Sequence, residues 1–579
     1  MKRSVLLSTA ISFCFVIVLL RLGDLMLLDH KKLSEKGENQ YQKLKDLDIR
    51  RGLIFDRRGR ELAMNLDVDS VFCDPSKVAS PKSAALHLSN LTGTSYTDIL
   101  KKVSAGEKQF VWIKRKLDGD TAGKLRAYKG PDSKAIGFVT EAKRVYPKGT
   151  LASHLIGFVD LDNKARAGVE NSYEKDLRQK GGKILVEKDA SGKVLSHGAD
   201  TELWGNNLVL TIDEGLQFIA ERALDEGMEK WKAEAGTVVM MDPHTGEILA
   251  MANRPTFDPN RPGSVRPEAV RNRAIMDLYE PGSTFKLVLA AAAIEEKVFS
   301  PGTRFDCTSG SIQVGGRSFH DVHKNGVLAF EEVIQKSSNV GSIQIGLKLG
   351  YERLYSYAKK FGFGELTGID LPSEARGRLT RPEKAWGTSI AALSIGYEVS
   401  VTPMQVLRAY SAAANGGLLP APHVVREVRS PGGELLKKFE PDLIRALKPE
   451  TAARLKKILA MVTEEGGTAT LAAVEGNRVS GKTGTARLYD PRTRRYSGEY
   501  MSSFVGFVPV DKPKIAMIVV IKGAKGAVYG GVVAAPVFRD IAERAFAYMN
   551  VPRDDMEDNN LVYLGGDYGV RETPRWDRN

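Results

Sequence analysis

Lys286 follows Ser283 by three residues, just before an uninterrupted apolar run at residues 287–294. Pro281 and Gly282 mark a loop before the pair, and the run of alanine and leucine predicts a buried helix entered at Ser283. Side chains three residues apart share one face of a helix. A lysine facing an apolar core readily loses its proton and can then serve as a base for a neighbouring serine. The pair is therefore a candidate nucleophile and base, although S-x-x-K alone is more often a capping serine beside a surface lysine.

Two further motifs carry residue types that suit the same chemistry. Ser337 and Asn339 stand at a break between two helical patterns, where small polar side chains can face a cleft. The other motif lies in a strand-like segment and consists of Lys482, Thr483, Gly484 and Thr485. Each motif alone is compatible with a helix cap or a turn. The ordered set S-x-x-K, S-x-N and K-T-G is far more specific, and it is the set of penicillin-binding proteins and β-lactamases.

The elements around these motifs predict an antiparallel sheet covered by helices. Residues 236–241 and 247–252 flank a turn, which indicates one hairpin, and residues 502–508 and 514–521 indicate a second. Helices are predicted at 283–294, 328–336, 341–349, 351–361, 403–415, 449–464 and 537–548. We expect an α+β domain at residues 216–552 that contains all three motifs.

Residues 29–215 predict an irregular, mixed α/β pedestal without chemistry of its own. A polar, helix-like stalk is expected at 30–45, followed by an arginine-rich hairpin at 50–63. We interpret these arginines as structural residues that form ion pairs between subdomains. Asp213 ends a strand and can cap the helix that begins near Leu216.

Residues 4–20 form an uncharged, mostly apolar run after Lys2 and Arg3. As a helix of ~1.5 Å per residue the run is ~26 Å long, close to the ~30 Å hydrocarbon core of a bilayer. The basic start predicts a cytoplasmic N-terminus, with the rest of the chain outside. No small-residue cleavage site follows the run, which favours an uncleaved signal anchor at residues 1–28 over a cleaved signal peptide.

Composition and net charge limit the classes of partner that we expect for this chain. The chain has 579 residues, enough for two or three domains, and its 42% hydrophobic and 27% charged content is that of a globular protein. The net charge of +13 suits an anionic lipid surface, an anionic polymer or nucleic acid. Because zinc-finger spacing, RNA-binding aromatic motifs and concentrated basic runs are missing from the sequence, nucleic acid is the least supported partner.

The three cysteines, Cys14, Cys73 and Cys307, are far apart in sequence. They exclude a disulfide framework and predict free or buried thiols, while one disulfide between Cys73 and Cys307 stays open. His320 and His323 are three residues apart, but the sequence shows no third ligand beside them. We therefore expect neither a metal nor another cofactor.

On these motifs the sequence resembles a class B penicillin-binding protein, a monofunctional peptidoglycan D,D-transpeptidase. The resemblance extends over nearly the whole chain and includes the anchor and all three motifs. It also includes residues 51–63, 146–159, 211–213 and 395–417, and the three stretches 500–509, 529–531 and 534–538. These last three stretches look most like the septal, cell-division type, with the elongation type as the near alternative.

The resemblance implies acyl transfer in two steps. Ser283 attacks the carbonyl between the two terminal D-alanines of a stem peptide, with Lys286 as general base, and an amine of a second stem then forms the crosslink. Burial and the positive charge of Lys482 are expected to lower the pKa of Lys286. Ser337 relays a proton to the leaving or entering amine, and Asn339 orients Lys286 and a substrate amide.

The K-T-G strand is expected to hold the substrate. Lys482 and the hydroxyls of Thr483 and Thr485 suit the terminal carboxylate. Gly484 lets an extended substrate lie alongside the strand. By resemblance, the backbone N–H groups of Ser283 and Thr485 form the oxyanion hole.

The implied partners are peptidoglycan stem peptides, β-lactams bound covalently at Ser283, the membrane, a lipid II polymerase and other division proteins. The implied location is the bacterial cytoplasmic membrane, crossed once, with the catalytic domain outside. The charged tail at residues 553–579 has no assigned role. Two rival functions stay open: a D,D-carboxypeptidase or penicillin-hydrolysing sensor that passes the acyl group to water, and a membrane scaffold of a division complex whose enzyme is vestigial.

Overall fold

The computed structural model describes residues 2–23, 26, 42–46, 50–106, 108–178, 183–187, 204–300, 302–490 and 495–554. The predicted tail beyond residue 554 and the predicted stalk up to residue 41 lie outside these residues. The end of that stalk is a strand, β1 (Gln42–Asp46), where we predicted a helix. It pairs with β6 (Lys183–Glu187), a partner too distant in sequence to be inferred from the polar pattern.

The N-terminal helix α1 covers Lys2–Gly23. Its residues from Phe13 to Leu22 expose large apolar side chains, with Leu20 70% exposed. Within the described ranges, the structure contains no helix whose length and apolar character suffice to cross a membrane.

The pedestal is built on a mixed sheet flanked by short helices. Apart from β1 and β6, which among the described residues pair only with each other, its strands are β2 (Ile54–Phe55), β3 (Glu61–Cys73), β4 (Val111–Lys114), β5 (Ile136–Val145) and β7 (Asn207–Leu210). Its helices are α2 (Pro81–Thr92), α3 (Tyr96–Val103), α4 (Gly119–Ala127), α5 (Ser153–Ile156), α6 (Gly168–Ser172) and α7 (Glu174–Leu177). The predicted hairpin is confirmed: β2 and β3 pair antiparallel, and the Asp56 carboxylate accepts the N–H groups of Arg58 and Arg60 in the turn.

Ion pairs involving the arginines of this hairpin are confirmed. Arg51 donates to Glu170 at 2.6 Å, and Arg144 donates to the same carboxylate at 2.7 Å. Glu170 has no exposed surface, and the two arginine side chains are almost completely buried. The network therefore fixes the hairpin to the helix that carries Glu170.

The pedestal sheet includes two strands from the second half of the chain. Its order is β18-β17-β7-β2-β3-β4, with β5 also paired to β3, where β17 is Val425–Arg429 and β18 is Leu435–Lys438. These two strands were not predicted, because each has at most five residues and no clear alternation. The pedestal and the motif-bearing domain thus share one sheet, although we placed a boundary near residue 215.

The motif-bearing domain is centred on a five-stranded antiparallel sheet of order β20-β21-β22-β8-β9. These strands are β8 (Ala235–Met241), β9 (Ile248–Arg254), β20 (Ser480–Asp490), β21 (Arg495–Val508) and β22 (Ile515–Lys522). Both predicted hairpins are confirmed, as β8–β9 and β21–β22. β20, which carries residues 482–485, is an edge strand.

Short strands join the connecting segments in pairs: β10 (Arg304–Asp306) with β13 (Val327–Ala329), β11 (Ser311–Val314) with β12 (Arg317–His320), β14 (Arg378–Leu379) with β15 (Val399–Ser400), and β16 (Leu418–Pro420) with β19 (Leu443–Arg445). The hairpin β11–β12 leads directly to the segment at 321–326 beside the S-x-N motif.

Helices cover both faces of the central sheet. They are α8 (Glu214–Trp231), α9 (Pro267–Val270), α10 (Arg273–Met276), α11 (Lys286–Glu295), α12 (Phe330–Gln335), α13 (Asn339–Leu349), α14 (Tyr351–Lys360), α15 (Ser389–Ser394), α16 (Pro403–Ala414), α17 (Pro449–Ala460), α18 (Gly530–Val533) and α19 (Ala535–Met549). α8 and α19 pack on one face, and α11 and α16 belong to the core on the other. Asp213 caps α8 as predicted, and the predicted antiparallel sheet covered by helices is confirmed.

The cysteine prediction holds for all three positions. Cys73 and Cys307 are buried free thiols, and Cys14 is an exposed free thiol. The alternative of a disulfide between Cys73 and Cys307 is therefore wrong: the first lies in the pedestal core and the second in the core of the motif-bearing domain.

Candidate active site

Ser283 lies in a single 3₁₀ turn, Gly282–Phe285, that leads into α11. Gly282 has a φ of +54°, a conformation that favours glycine, and it turns the chain into the helix. Its N–H donates to the Gly396 carbonyl at 3.1 Å, and a Cβ on Gly396 would lie only 2.0 Å from the Gly282 oxygen. The predicted helix entry is confirmed, with the serine in a tight turn that a second segment holds at close range.

Lys286 begins α11, and its side chain is completely buried. Its Nζ donates to the Ser337 carbonyl at 2.7 Å and to Asn339 Oδ1 at 2.9 Å, and lies 3.3 Å from both Ser337 Oγ and the Ser338 carbonyl. The S-x-x-K and S-x-N motifs therefore meet at this ammonium. Among the described residues, a hydrogen bond between Lys286 and the Ser283 hydroxyl is not formed; such catalytic contacts often tighten only around a substrate.

Burial lowers the pKa of Lys286 to about 7, against the opposing effect of the Asp321 carboxylate. Burial and the nearby charge of Lys286 also lower the pKa of Lys482 well below its ordinary value. We expected both burial and the charge of Lys482 to lower the pKa of Lys286. The lowering by burial is confirmed, whereas the repulsion between the two lysines lowers the pKa of Lys482.

Ser337 lies between α12 and α13 with a φ of +56°. This left-handed conformation is costly for a residue with a Cβ and directs the backbone carbonyl of Ser337 at Lys286. Ser338 caps α13 through a 3.0 Å bond from the Gly341 N–H, and Asn339 Nδ2 donates to the His320 carbonyl at 2.9 Å. The Asn339 amide thus has its oxygen fixed on the lysine and its nitrogen fixed on the neighbouring hairpin.

Asp321 organises the S-x-N motif and was missed in the sequence as a site residue. Its carboxylate accepts the Ser338 hydroxyl at 2.8 Å, the Val340 N–H at 2.9 Å and the Asn339 N–H. A carboxylate at a helix N-terminus stabilises the helix through its free N–H groups and its dipole. The sequence offered only the adjacent histidines as a signal here, since Asp321 reaches α13 across a separate hairpin.

β20 places the K-T-G motif on the edge of the sheet, in register with β21. Lys482 is completely buried, with its Nζ 3.4 Å from Thr483 Oγ1. The Thr483 hydroxyl lies 3.1 Å from that of Thr468, and the Thr485 hydroxyl accepts the Gly530 N–H at 3.1 Å. Thr468 was not predicted as a site residue. It comes from the loop after α17 and places a second hydroxyl beside that of Thr483.

Gly484 lies where β20 packs closely against the Ser283 turn. A Cβ at this position would lie 2.3 Å from Ser503 Oγ, 3.0 Å from Thr284 Cγ2 and 3.1 Å from the Pro281 carbonyl. The missing side chain therefore lets β20 pack against the Ser283 turn. The expected role of Gly484 beside an extended substrate stays a prediction.

The motifs open onto one cleft of about 790 Å³. It is lined by the predicted residues Ser283, Ser337, Asn339, Thr483 and Thr485. It is also lined by residues that sequence reasoning did not single out for the site, among them Asp321, Tyr397, Thr468, Tyr500 and Tyr529. Lys286 and Lys482 are buried next to these lining residues. The cleft therefore joins a serine, a lysine of lowered pKa and a hydroxyl-rich strand edge, which suits attack on a carbonyl near a carboxylate.

Comparisons with known proteins agree with this geometry. The family model described as penicillin binding protein transpeptidase domain matches residues 236–543, and that of the penicillin-binding protein dimerisation domain matches residues 47–210. The chain is 33% identical to the probable peptidoglycan D,D-transpeptidase PenA of Neisseria meningitidis, over 92% of this chain and 90% of that one. It is 31% identical to the peptidoglycan D,D-transpeptidase FtsI of Escherichia coli, over 95% and 92%.

A solved structure is similar as well. Penicillin binding protein 3 of Mycobacterium tuberculosis, crystallised in complex with aztreonam, has a TM-score of 0.67 and 27% identity, and covers 88% of this chain and 98% of its own. The similarity in sequence and in structure thus extends through both the pedestal and the motif-bearing domain.

Proposed function

We infer that this chain, which belongs to the class B penicillin-binding proteins, uses the cleft at Ser283 for its reaction. The chain is a peptidoglycan D,D-transpeptidase, a serine acyltransferase. The observation that carries the assignment of the site is the meeting of Ser283, Lys286, Ser337, Asn339 and residues 482–485 around one cleft.

In the first step the Ser283 oxygen attacks the carbonyl carbon between two D-alanines. Its proton passes to Lys286 Nζ, which burial keeps partly unprotonated near pH 7. The C–N bond then breaks, and the departing D-alanine amine takes a proton through the Ser337 hydroxyl, which lies 3.3 Å from Lys286 Nζ. The product is an ester between Ser283 and the remaining stem peptide.

In the second step the amine of another stem attacks that ester. Ser337 and Lys286 take the proton of the amine and return one to Ser283 as the C–O bond breaks. The product is an amide crosslink and the free enzyme. Asn339, whose oxygen holds Lys286, keeps the base at the end of the cleft where both amines arrive.

Substrate binding in this proposal uses the edge of β20. Lys482 and the hydroxyls of Thr468, Thr483 and Thr485 suit the terminal carboxylate, because they gather donors beside one buried ammonium. The backbone N–H groups of Ser283 and Thr485 are the proposed oxyanion hole, where one donor typically contributes about 3 kcal/mol.

The proposed setting is septal wall synthesis at the cytoplasmic membrane, anchored by α1, with a lipid II polymerase and other division proteins as partners. The exposed apolar side chains from Phe13 to Leu22 support the anchor, and the similarity to FtsI supports the septal role. Imaging a fluorescent fusion tests the setting: enrichment at midcell is expected, and an even distribution along the side wall would assign the chain to elongation instead.

Labelling with a fluorescent penicillin tests the site. β-Lactams present a strained amide in place of the terminal dipeptide, so the wild type is expected to form a stable adduct and Ser283→Ala is expected to form none. Ser264→Ala, which removes an exposed serine in the same domain, is the matched control and should label normally. Labelling that survives Ser283→Ala would overturn the assignment of the nucleophile.

The rival reactions differ in the acceptor. With a pentapeptide donor and a stem-peptide amine, a transpeptidase gives crosslinked dimer, whereas a carboxypeptidase gives free tetrapeptide. Complementation separates catalysis from scaffolding: Ser283→Ala is expected to fail to replace the wild-type chain in a deletion strain.

A further inference from the structure

The segment at residues 395–417 forms part of the sequence resemblance, and the reaction as proposed gives it no role. In the structure this segment forms hydrogen bonds with the chain around Ser283 at several positions. Gly282 N donates to the Gly396 carbonyl at 3.1 Å, and Glu398 N donates to the Glu280 carboxylate at 3.0 Å. Tyr279 and Val401 exchange backbone hydrogen bonds of 3.0 and 2.9 Å. The turn that presents the nucleophile is therefore supported from outside its own helix.

Tyr410 makes the deepest of these contacts. It lies on α16, a helix whose residues are all buried, and its hydroxyl donates to the Thr284 carbonyl at 2.9 Å. Thr284 is the residue after Ser283, inside the 3₁₀ turn. Burial raises the pKa of Tyr410 well above its ordinary value, so the hydroxyl stays protonated and stays a donor.

We propose that Tyr410 is a positioning residue for the acyl transfer, which acts by fixing the Thr284–Phe285 peptide unit of the nucleophile turn through its bond to the Thr284 carbonyl. The inference rests on the proposed role of Ser283 as the nucleophile. Tyr410 is a positioning residue and not a catalytic one, because its hydroxyl contacts the backbone of the turn and none of the reacting atoms.

The physical case begins with the turn itself. A 3₁₀ turn has poorer hydrogen-bond geometry than an α-helix, so its peptide planes are less firmly set by local bonds. The Ser283 N–H proposed for the oxyanion hole and the Ser283 oxygen belong to the same four-residue turn, so a shift of the Thr284–Phe285 peptide unit displaces them as well. Misplacement of a reacting group by about 1 Å can cost a hundredfold in rate. A donor from a rigid, buried helix supplies the constraint that the turn lacks.

The competing explanation is that Tyr410 only fills the core. Two other tyrosines of the same domain serve as controls that distinguish these explanations. Tyr279 is also buried behind the turn, but its hydroxyl has no hydrogen-bond partner in the described parts of the chain. Tyr351 makes the same kind of bond, from its hydroxyl to the Thr380 carbonyl at 2.9 Å, away from the Ser283 turn. Tyr279→Phe therefore tests a buried tyrosine near the turn that makes no hydroxyl hydrogen bond. Tyr351→Phe tests the loss of a tyrosine–carbonyl hydrogen bond away from the turn.

The experiment is single-turnover acylation of the full chain by a chromogenic cephalosporin, which yields the acylation rate constant k2 and the dissociation constant K of the preceding complex. For Tyr410→Phe we expect k2 to fall roughly tenfold to hundredfold, with K and the pH midpoint of k2 unchanged. Tyr279→Phe and Tyr351→Phe are expected to keep k2 within about twofold of wild type. Because k2 is a single-turnover constant, it is measured on the folded fraction even where a variant is recovered in low yield.

Three results would overturn the inference: k2 near the wild-type value in Tyr410→Phe, a change confined to K, or an equal fall of k2 in Tyr351→Phe. The Ser283→Ala variant keeps this test apart from the proposed function. If that variant is still acylated, the nucleophile has been misassigned; if it is inert while Tyr410→Phe has normal k2, only the role of Tyr410 is lost.

Discussion

Asn339 Oδ1 accepts a 2.9 Å hydrogen bond from Lys286 Nζ, which also donates to the Ser337 carbonyl of the same motif. The bond connects the first residue of α11 with the first residue of α13, so two helix N-termini meet at a single ammonium. Burial of this group lowers the pKa of Lys286. The positive ends of the two helices disfavour the charged form in the same direction.

The acylation rate should follow the deprotonation of Lys286. Its pKa of about 7 lies below the ordinary value, so the neutral amine that accepts a proton increases as pH rises through 7. We expect k2/K for a β-lactam to rise along a limb with its midpoint near pH 7. His323 also lines the cleft, and histidine commonly titrates in this range, so His323→Asn is the control and should keep the limb. Loss of the limb in that variant would assign the titration to the histidine.

Asp321→Asn should move that limb to lower pH. The Asp321 carboxylate favours the charged form of Lys286, so removing its charge makes the lysine easier to deprotonate. The substitution also weakens the cap of α13, at a cost of about 1 kcal/mol in the free energy of unfolding. Asp306→Asn removes a carboxylate that only caps its own loop, and its pH profile should match the wild type. An unmoved limb in Asp321→Asn would rule out the electrostatic contact.

Ser337 should separate stability from activity. Its φ of +56° favours glycine, so Ser337→Gly is expected to be more stable than Ser337→Ala by about 1 kcal/mol. Both variants lose the hydroxyl of the proposed relay, and both should form crosslinks much more slowly than the wild type. Thermal unfolding and a crosslinking assay measure the two effects. Equal stability of the two variants would show that the backbone at this position is unstrained.

Gly484→Ala should push β20 away from the Ser283 turn. The added Cβ would meet Ser503 Oγ at 2.3 Å and atoms of the turn at 3.0–3.1 Å. We expect a loss of about 1–3 kcal/mol in the free energy of unfolding, together with slower acylation. Gly498→Ala, on the neighbouring strand, places a Cβ with nothing within 4 Å and should be neutral. Normal acylation by Gly484→Ala would contradict this packing.

Glu170→Gln should destabilise the pedestal. The variant leaves Arg51 and Arg144 buried without the carboxylate that both contact, for an expected cost of about 3–5 kcal/mol. Glu174→Gln alters a partly exposed partner of Arg51 and should cost at most about 1 kcal/mol. Urea unfolding of the two variants gives the comparison, and equal losses would contradict it.

The same network sets an acid limit. Burial alone would raise the pKa of Glu170, but Arg144 and Arg51 outweigh it and lower that pKa. A carboxyl group of lowered pKa contributes its stability above the ordinary titration range and loses it as pH falls. The wild type should therefore lose stability below about pH 4, and the Glu170→Gln variant should show a smaller loss over that interval.

The sequence by itself determined the local features. The order of S-x-x-K, S-x-N and K-T-G identified five of the residues that line the cleft, namely Ser283, Ser337, Asn339, Thr483 and Thr485. The alternation and turn residues at 236–252 and 502–521 predicted both central hairpins. Local backbone preferences and apolar periodicity set these features over short stretches, so one chain segment carries enough information to predict each.

Only the tertiary structure decided which distant groups meet. It brought the Asp321 carboxylate to the start of α13, placed the Tyr410 hydroxyl on a carbonyl 126 residues earlier, and added β17 and β18 to the pedestal sheet. It also showed that a side chain at position 484 would collide with its neighbours, since the space that a Cβ would need is filled by Ser503 and the Ser283 turn. Contacts of this kind depend on the path of the whole chain and on close packing, and neither is encoded in the spacing of a motif.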